Sequence, residues 1–140
     1  MMIKISVTIQ APLSVVWDKW ISVEGIQYWA FASDDWAAEG IKNDIKPGGK
    51  FSSRNFAKDG SFEFIFGGTY NTVDPQKHVT YTLDDGRKVE VSFEETPGGI
   101  SMTQLFEPES ENSEKQQQEG WQAYLDNFKK YVESSVKKVV

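Results

Sequence analysis

The C-terminal segment most restricts what this chain can become. Trp121, Tyr124, Leu125, Phe128 and Val132 recur at offsets of three and four, the signature of one apolar helix face. Ser113, followed three residues on by Gln116, forms a capping box and sets the start of that helix. A long helix with an aromatic stripe needs a partner surface, and the rest of the chain supplies strands. Ile3, Ile5, Val7 and Ile9 alternate with Lys4, Ser6, Thr8 and Gln10, a strand with one buried face. From Trp36 to Phe106 further period-two runs are punctuated by Pro47-Gly48-Gly49, Lys58-Asp59-Gly60, Asp74-Pro75-Gln76, Asp84-Asp85-Gly86 and Pro97-Gly98-Gly99. These divide the region into strands over about 36–41, 50–56, 62–73, 78–83, 88–95 and 100–107.

Short turns make the meander antiparallel, and a curved antiparallel sheet has a concave face that only the terminal helix is long enough to cover. Between the first two strands, Pro12 opens a short helix with Leu13, Val16, Trp17 and Trp20 on one side. A second helical segment carries Ile26 and Trp29 and stops at Asp34-Asp35. The expected fold is therefore α+β. A seven-stranded curved antiparallel sheet wraps a long C-terminal helix, with two short helices between strands 1 and 2, as one domain over 1–140.

Composition narrows the partners. The formal charge of -6 disfavours nucleic acid and anionic membrane surfaces, which both select Lys and Arg. The densest basic group, Lys129, Lys130, Lys137 and Lys138, falls near a helix C-terminus and reads as a solvated face. The absence of Cys excludes disulfides, a thiolate nucleophile and thiolate zinc sites. No export segment or membrane-length apolar run is present, so cytoplasmic residence is expected. His78, the only imidazole, follows a turn at a strand start, and no metal or cofactor motif occurs. Asp34-Asp35 and Glu94-Glu95 are sequence neighbours whose side chains diverge on a strand, so neither is an acid–base pair. No catalytic residue, metal site or cofactor is assigned.

Several ordered motifs resemble a known family. They are Val7-Thr8-Ile9-Gln10-Ala11-Pro12, Val16-Trp17 with Trp20, Trp29, and Lys46-Pro47-Gly48-Gly49-Lys50-Phe51. Phe66-Gly67-Gly68-Thr69-Tyr70, Val89-Glu90-Val91-Ser92-Phe93, and Gly120-Trp121 with Leu125-Asp126-Asn127-Phe128 complete the set. Together they resemble the bacterial homologues of the activator of the heat-shock protein 90 ATPase, within the START-like (SRPBCC, polyketide cyclase-like) superfamily. The resemblance implies a helix-grip fold with a cavity between sheet and helix. It does not imply one activity, since a fold hosts many. The chain departs from the family at Ala30-Phe31, where a second Trp is usual, and it lacks the additional N-terminal domain of the eukaryotic activator. Both departures weigh against chaperone contact.

Alternation and the helical stripe turn a set of residues inward that either fills the interior or lines the cavity the resemblance implies; with Trp29 added, that lining takes Trp29, Phe51, Ser53, Phe64, Phe66 and Tyr70 in the first half of the chain. Tyr81, Met102, Gln104, Trp121, Tyr124 and Phe128 complete it. Ser53, Asn55 and Gln104 share parity with the apolar positions, and a buried polar group left unpaired costs about 1 to 3 kcal/mol. A ligand or trapped water would satisfy them, whereas a bulge would turn Gln104 outward. Gly120, inside the helical pattern, calls for a close neighbour, and the Gly pairs read as turns or bulges. The leading function is binding of a small apolar or amphipathic molecule, by a monomer or homodimer. Two alternatives stay open: an enzyme of the cyclase, dehydratase or hydrolase type using Tyr70, Tyr81 or Tyr124 for proton transfer, and a co-chaperone-like interaction protein.

Overall fold

The computed structural model describes residues 2–137. Strand β1 (Ile3–Ile9) leads into α1 (Leu13–Ile21) and the single turn α2 (Val23–Ile26). The meander follows as β2 (Trp36–Asn43), β3 (Lys50–Ala57), β4 (Glu63–Asp74), β5 (His78–Leu83), β6 (Lys88–Thr96) and β7 (Gly99–Phe106). Helix α3 (Glu114–Lys137) closes the chain. The seven strands form one antiparallel sheet in the order β1-β7-β6-β5-β4-β3-β2. The expected α+β helix-grip architecture is what the chain adopts.

Each sequence signal has a physical counterpart. The capping box forms: the Gln116 amide donates to Ser113 Oγ at 3.1 Å and the Ser113 amide to Gln116 Oε1 at 3.2 Å. On the inner face the core comprises Ile5, Ile9, Val79, Val91, Met102 and Phe106 from the sheet, Val16 from α1, and Phe128 and Val132 from α3. Trp17 and Trp20 both meet the edge of Phe93, at 5.6 and 5.5 Å, and fill the end of the sheet nearest α1.

Helix α3 does not lie symmetrically in the sheet. Its backbone runs close beside the edge strand β1. Gln118 and Gln122 donate through Nε2 to the carbonyls of Lys4 and Ser6, both at 3.1 Å, and Lys129 Nζ donates to Thr8 at 2.6 Å. Two residues of strand advance nearly as far as four of helix, so donors on one stripe meet alternate carbonyls. This seam occupies an edge that would otherwise present free backbone groups. Lys129 is thus partly buried in a structural role rather than on a solvated face; Lys138, grouped with it from sequence, lies outside the described residues.

Four expectations need correction. Helix α2 ends at Ile26, so Trp29 sits in the turn that follows. Gly67 and Gly68 lie in regular β4 rather than a turn or bulge, because backbone and rings crowd them: a Cβ on Gly68 would fall 2.4 Å from the Thr82 carbonyl and 2.9 Å from the Phe51 ring. Gly120 faces open space, and a Cβ placed on it would meet no atom within 4 Å, so no close approach explains it. Strand β2 runs two residues past Ile41, because a bulge at Gly40 (φ 62°) restores pairing at Lys42 and Asn43.

Candidate functional site

Because α3 leans on β1, its opposite flank stands off from β2, β3 and β4, and a cavity of about 300 Å³ opens there. All the nominated lining residues border it except Met102. Met102 is fully buried in a row with Val7 and Phe93, the part of the face already filled by the two Trp of α1, and so belongs to the core.

An arc of rings forms the walls. Trp121 stacks on Phe106 at 4.0 Å and meets the edge of Phe66 at 6.2 Å; Phe66 adjoins Phe51, which touches Tyr70 and Tyr81, each at 5.0 Å. Gly68 allows the Phe51 ring to lie down across β4. Trp29 is fixed on three sides: its Nε1 donates to the Lys19 carbonyl at 3.0 Å, its ring meets Phe128 at 4.8 Å, and Asn127 Nδ2 donates to its carbonyl at 3.0 Å. Phe64 stands at the rim, 45% exposed.

The polar groups fall into two kinds. Some are satisfied internally: the Tyr70 hydroxyl donates to Asn43 Oδ1, whose Nδ2 donates to the Ile21 carbonyl at 2.7 Å, tying β4, β2 and α1. Asn55, 1% exposed, donates to Ser53 Oγ at 3.1 Å and faces the Tyr124 hydroxyl at 3.4 Å. Others have no protein partner among the described residues and open onto the cavity instead: the Gln104 amide and the Tyr81 hydroxyl. Strand β7 runs without a register shift, so Gln104 faces inward between Ile5 and Val91.

Burial pushes the phenols of Tyr70, Tyr81 and Tyr124 above their ordinary range; at Tyr70 the bond to Asn43 opposes this and is the smaller effect. These hydroxyls therefore stay protonated near neutrality and act as neutral hydrogen-bond donors. Among the described residues no carboxylate or imidazole borders the cavity. His78 lies elsewhere, with Nε2 2.8 Å from Glu90 Oε1.

Several lining residues escaped the sequence reading: Trp20, Ile26, Asn43, Arg87 and Leu125. For Trp20 and Leu125 the helical stripe was visible but not its direction. Asn43 was hidden by the β2 bulge. Arg87 shares parity with the inward Val89, a signal masked by its place beside the Asp84-Asp85-Gly86 turn.

A curved antiparallel sheet gripping a long helix, with an aromatic-lined cavity between them, defines a helix-grip domain. Residues 10–133 match the model of the family described as activator of Hsp90 ATPase homolog 1-like protein, and the chain belongs to that family. It is 40% identical to the AHSA1-like protein from Aeromonas hydrophila, whose solution structure superposes with a TM-score of 0.91 over 96% of this chain and 94% of that one. A protein from Cytophaga hutchinsonii is 39% identical, with a TM-score of 0.82 over 97% and 94%. A Chromobacterium violaceum protein at 18% identity shares the fold alone, with a TM-score of 0.83 over 94% and 96%. Among curated proteins none matches this chain. Among the described residues no helix is long and apolar enough to cross a membrane.

Proposed function

We propose that this protein binds a small apolar or amphipathic molecule in the cavity between α3 and the β2–β4 flank, without chemical conversion. One observation carries the reading. Among the aromatic walls two polar groups, Gln104 and the Tyr81 hydroxyl, have no protein partner among the described residues and open onto the cavity rather than being sealed in the core. Pockets for largely apolar ligands use a few such accessible polar groups to set orientation.

A catalytic reading receives less support. Tyr70, Tyr81 and Tyr124 were the groups available for proton transfer, and burial moves each away from the neutral range in which a general acid or base works best. Native mass spectrometry of protein purified from its own host tests the binding reading. A retained small molecule that is lost when Ser53→Phe fills the cavity is the expected result. A wild-type protein free of adducts that also fails to take up apolar probes would refute it.

A further inference from the structure

We propose that the ligand carries an anionic group, a carboxylate or its equivalent, which docks on Arg87 at the cavity mouth while its apolar body lies along the aromatic arc. This rests on the binding reading above and names the class of molecule. Arg87 closes the β5–β6 hairpin, with its carbonyl accepting from the Leu83 amide at 2.8 Å. It therefore shares the inner face with Leu83 and Val89, which are 5% and 1% exposed. Its side chain is 23% exposed, enough to meet solvent and ligand together. The other basic residue at the cavity, Lys42, is exposed and pairs with Ser52, whose side chain points to the opposite face from Phe51 and Ser53. Arg87 is thus the cation directed at the bound molecule.

The guanidinium is held but not used up. Its Nε donates to Asp85 Oδ2 at 2.8 Å, which fixes the orientation of the plane, and Glu109 adds a second negative charge nearby. The edge formed by the two terminal nitrogens has no partner among the described residues. That edge presents two parallel N–H donors, the geometry a carboxylate accepts. Deeper in, burial disfavours ionisation of Tyr70 and Tyr81, so the interior penalises charge and an anionic head belongs at the mouth. From the Arg87 row to the row of Val91 and Gln104 is four residues of strand, about 13 Å. A medium alkyl chain or an aryl-alkyl group spans that distance and brings its far end to Gln104.

The test uses the intact protein and the fluorescence of Trp20, Trp29 and Trp121, which border the cavity. Decanoate and phenylbutyrate are titrated beside their methyl esters, which keep the body and lose the charge. The acids are expected to bind about tenfold more tightly than the esters, the scale of a charged hydrogen bond at a partly exposed site. Arg87→Gln should bring the acids to the ester level and leave the esters unchanged. Asp85→Asn, which removes the competing carboxylate, should tighten the acids alone, a gain no unfolded variant could give. Esters binding as tightly as acids to the wild type, or acids unaffected by Arg87→Gln, would overturn the head-group assignment and leave cavity binding standing. Failure of all four probes to bind would overturn both.

Discussion

Replacing Gln104 by Leu separates a residue kept for binding from one kept for folding. Gln104 projects from β7 between Ile5 and Val91, which are 2% and 0% exposed, and its amide has no partner among the described residues. An unpaired buried polar group costs about 1 to 3 kcal/mol. Because this amide borders the cavity, water reaches it in part, and the lower end, about 1 kcal/mol, applies. Leu is of similar size and adds apolar contact with both neighbours, so Gln104→Leu should stabilise the fold by about 1 to 2 kcal/mol. For a chain of this length that raises Tm by roughly 3 to 8 °C. Scanning calorimetry reads the shift, and urea unfolding with an unchanged slope excludes a change in compactness. The same variant should bind more weakly those amphipathic probes that carry a hydrogen-bonding group at the end reaching Gln104, and purely apolar probes no less tightly. A lower Tm, by the equivalent of about 1 kcal/mol or more, would mean that Gln104 has a structural partner and would refute the reasoning.

Three further outcomes are expected. Burial holds the Tyr70 and Tyr81 protons more tightly in the folded than in the unfolded chain, so their contribution is intact below about pH 10 and is lost as pH rises beyond it, by roughly 1.4 kcal/mol per pH unit for each phenol. Urea midpoints from about pH 9 to about pH 11 should therefore fall, and a level profile contradicts the burial. Gly120→Ala fills open space on an exposed helical turn and should add about 0.5 to 1 kcal/mol, seen as a higher urea midpoint. Phe128→Ala removes a fully buried ring in contact with Trp29 and should cost about 3 to 5 kcal/mol in the same assay.

Most of the architecture was legible because periodicity and turn chemistry agree along the chain. The alternation of Ile3, Ile5, Val7 and Ile9 and the stripe through Trp121, Phe128 and Val132 each admit one secondary structure, and both formed. What parity could not supply was position along the sheet. Met102 and Gln104 are two residues apart on one face, yet one is packed under Phe93 and the other borders the cavity. That difference comes from where α1 and α3 settle, a tertiary outcome with no local signature. Arg87 and Asn43 were missed for a related reason, since a turn and a bulge broke the alternation that would have pointed them inward.

The seam between α3 and β1 also bears on how the protein is made. Strand β1 finds its neighbour in β7, which is made much later, and the carbonyls of Lys4, Ser6 and Thr8 meet donors on α3 that emerge later still. Such sequence-distant closure makes folding slower than local pairing would, and it leaves β1 exposed until β7 and α3 have been made. A chain cut short before Gln118 would carry β1 as a bare pairing edge, a recruiter of other truncated copies rather than a wall of its own cavity.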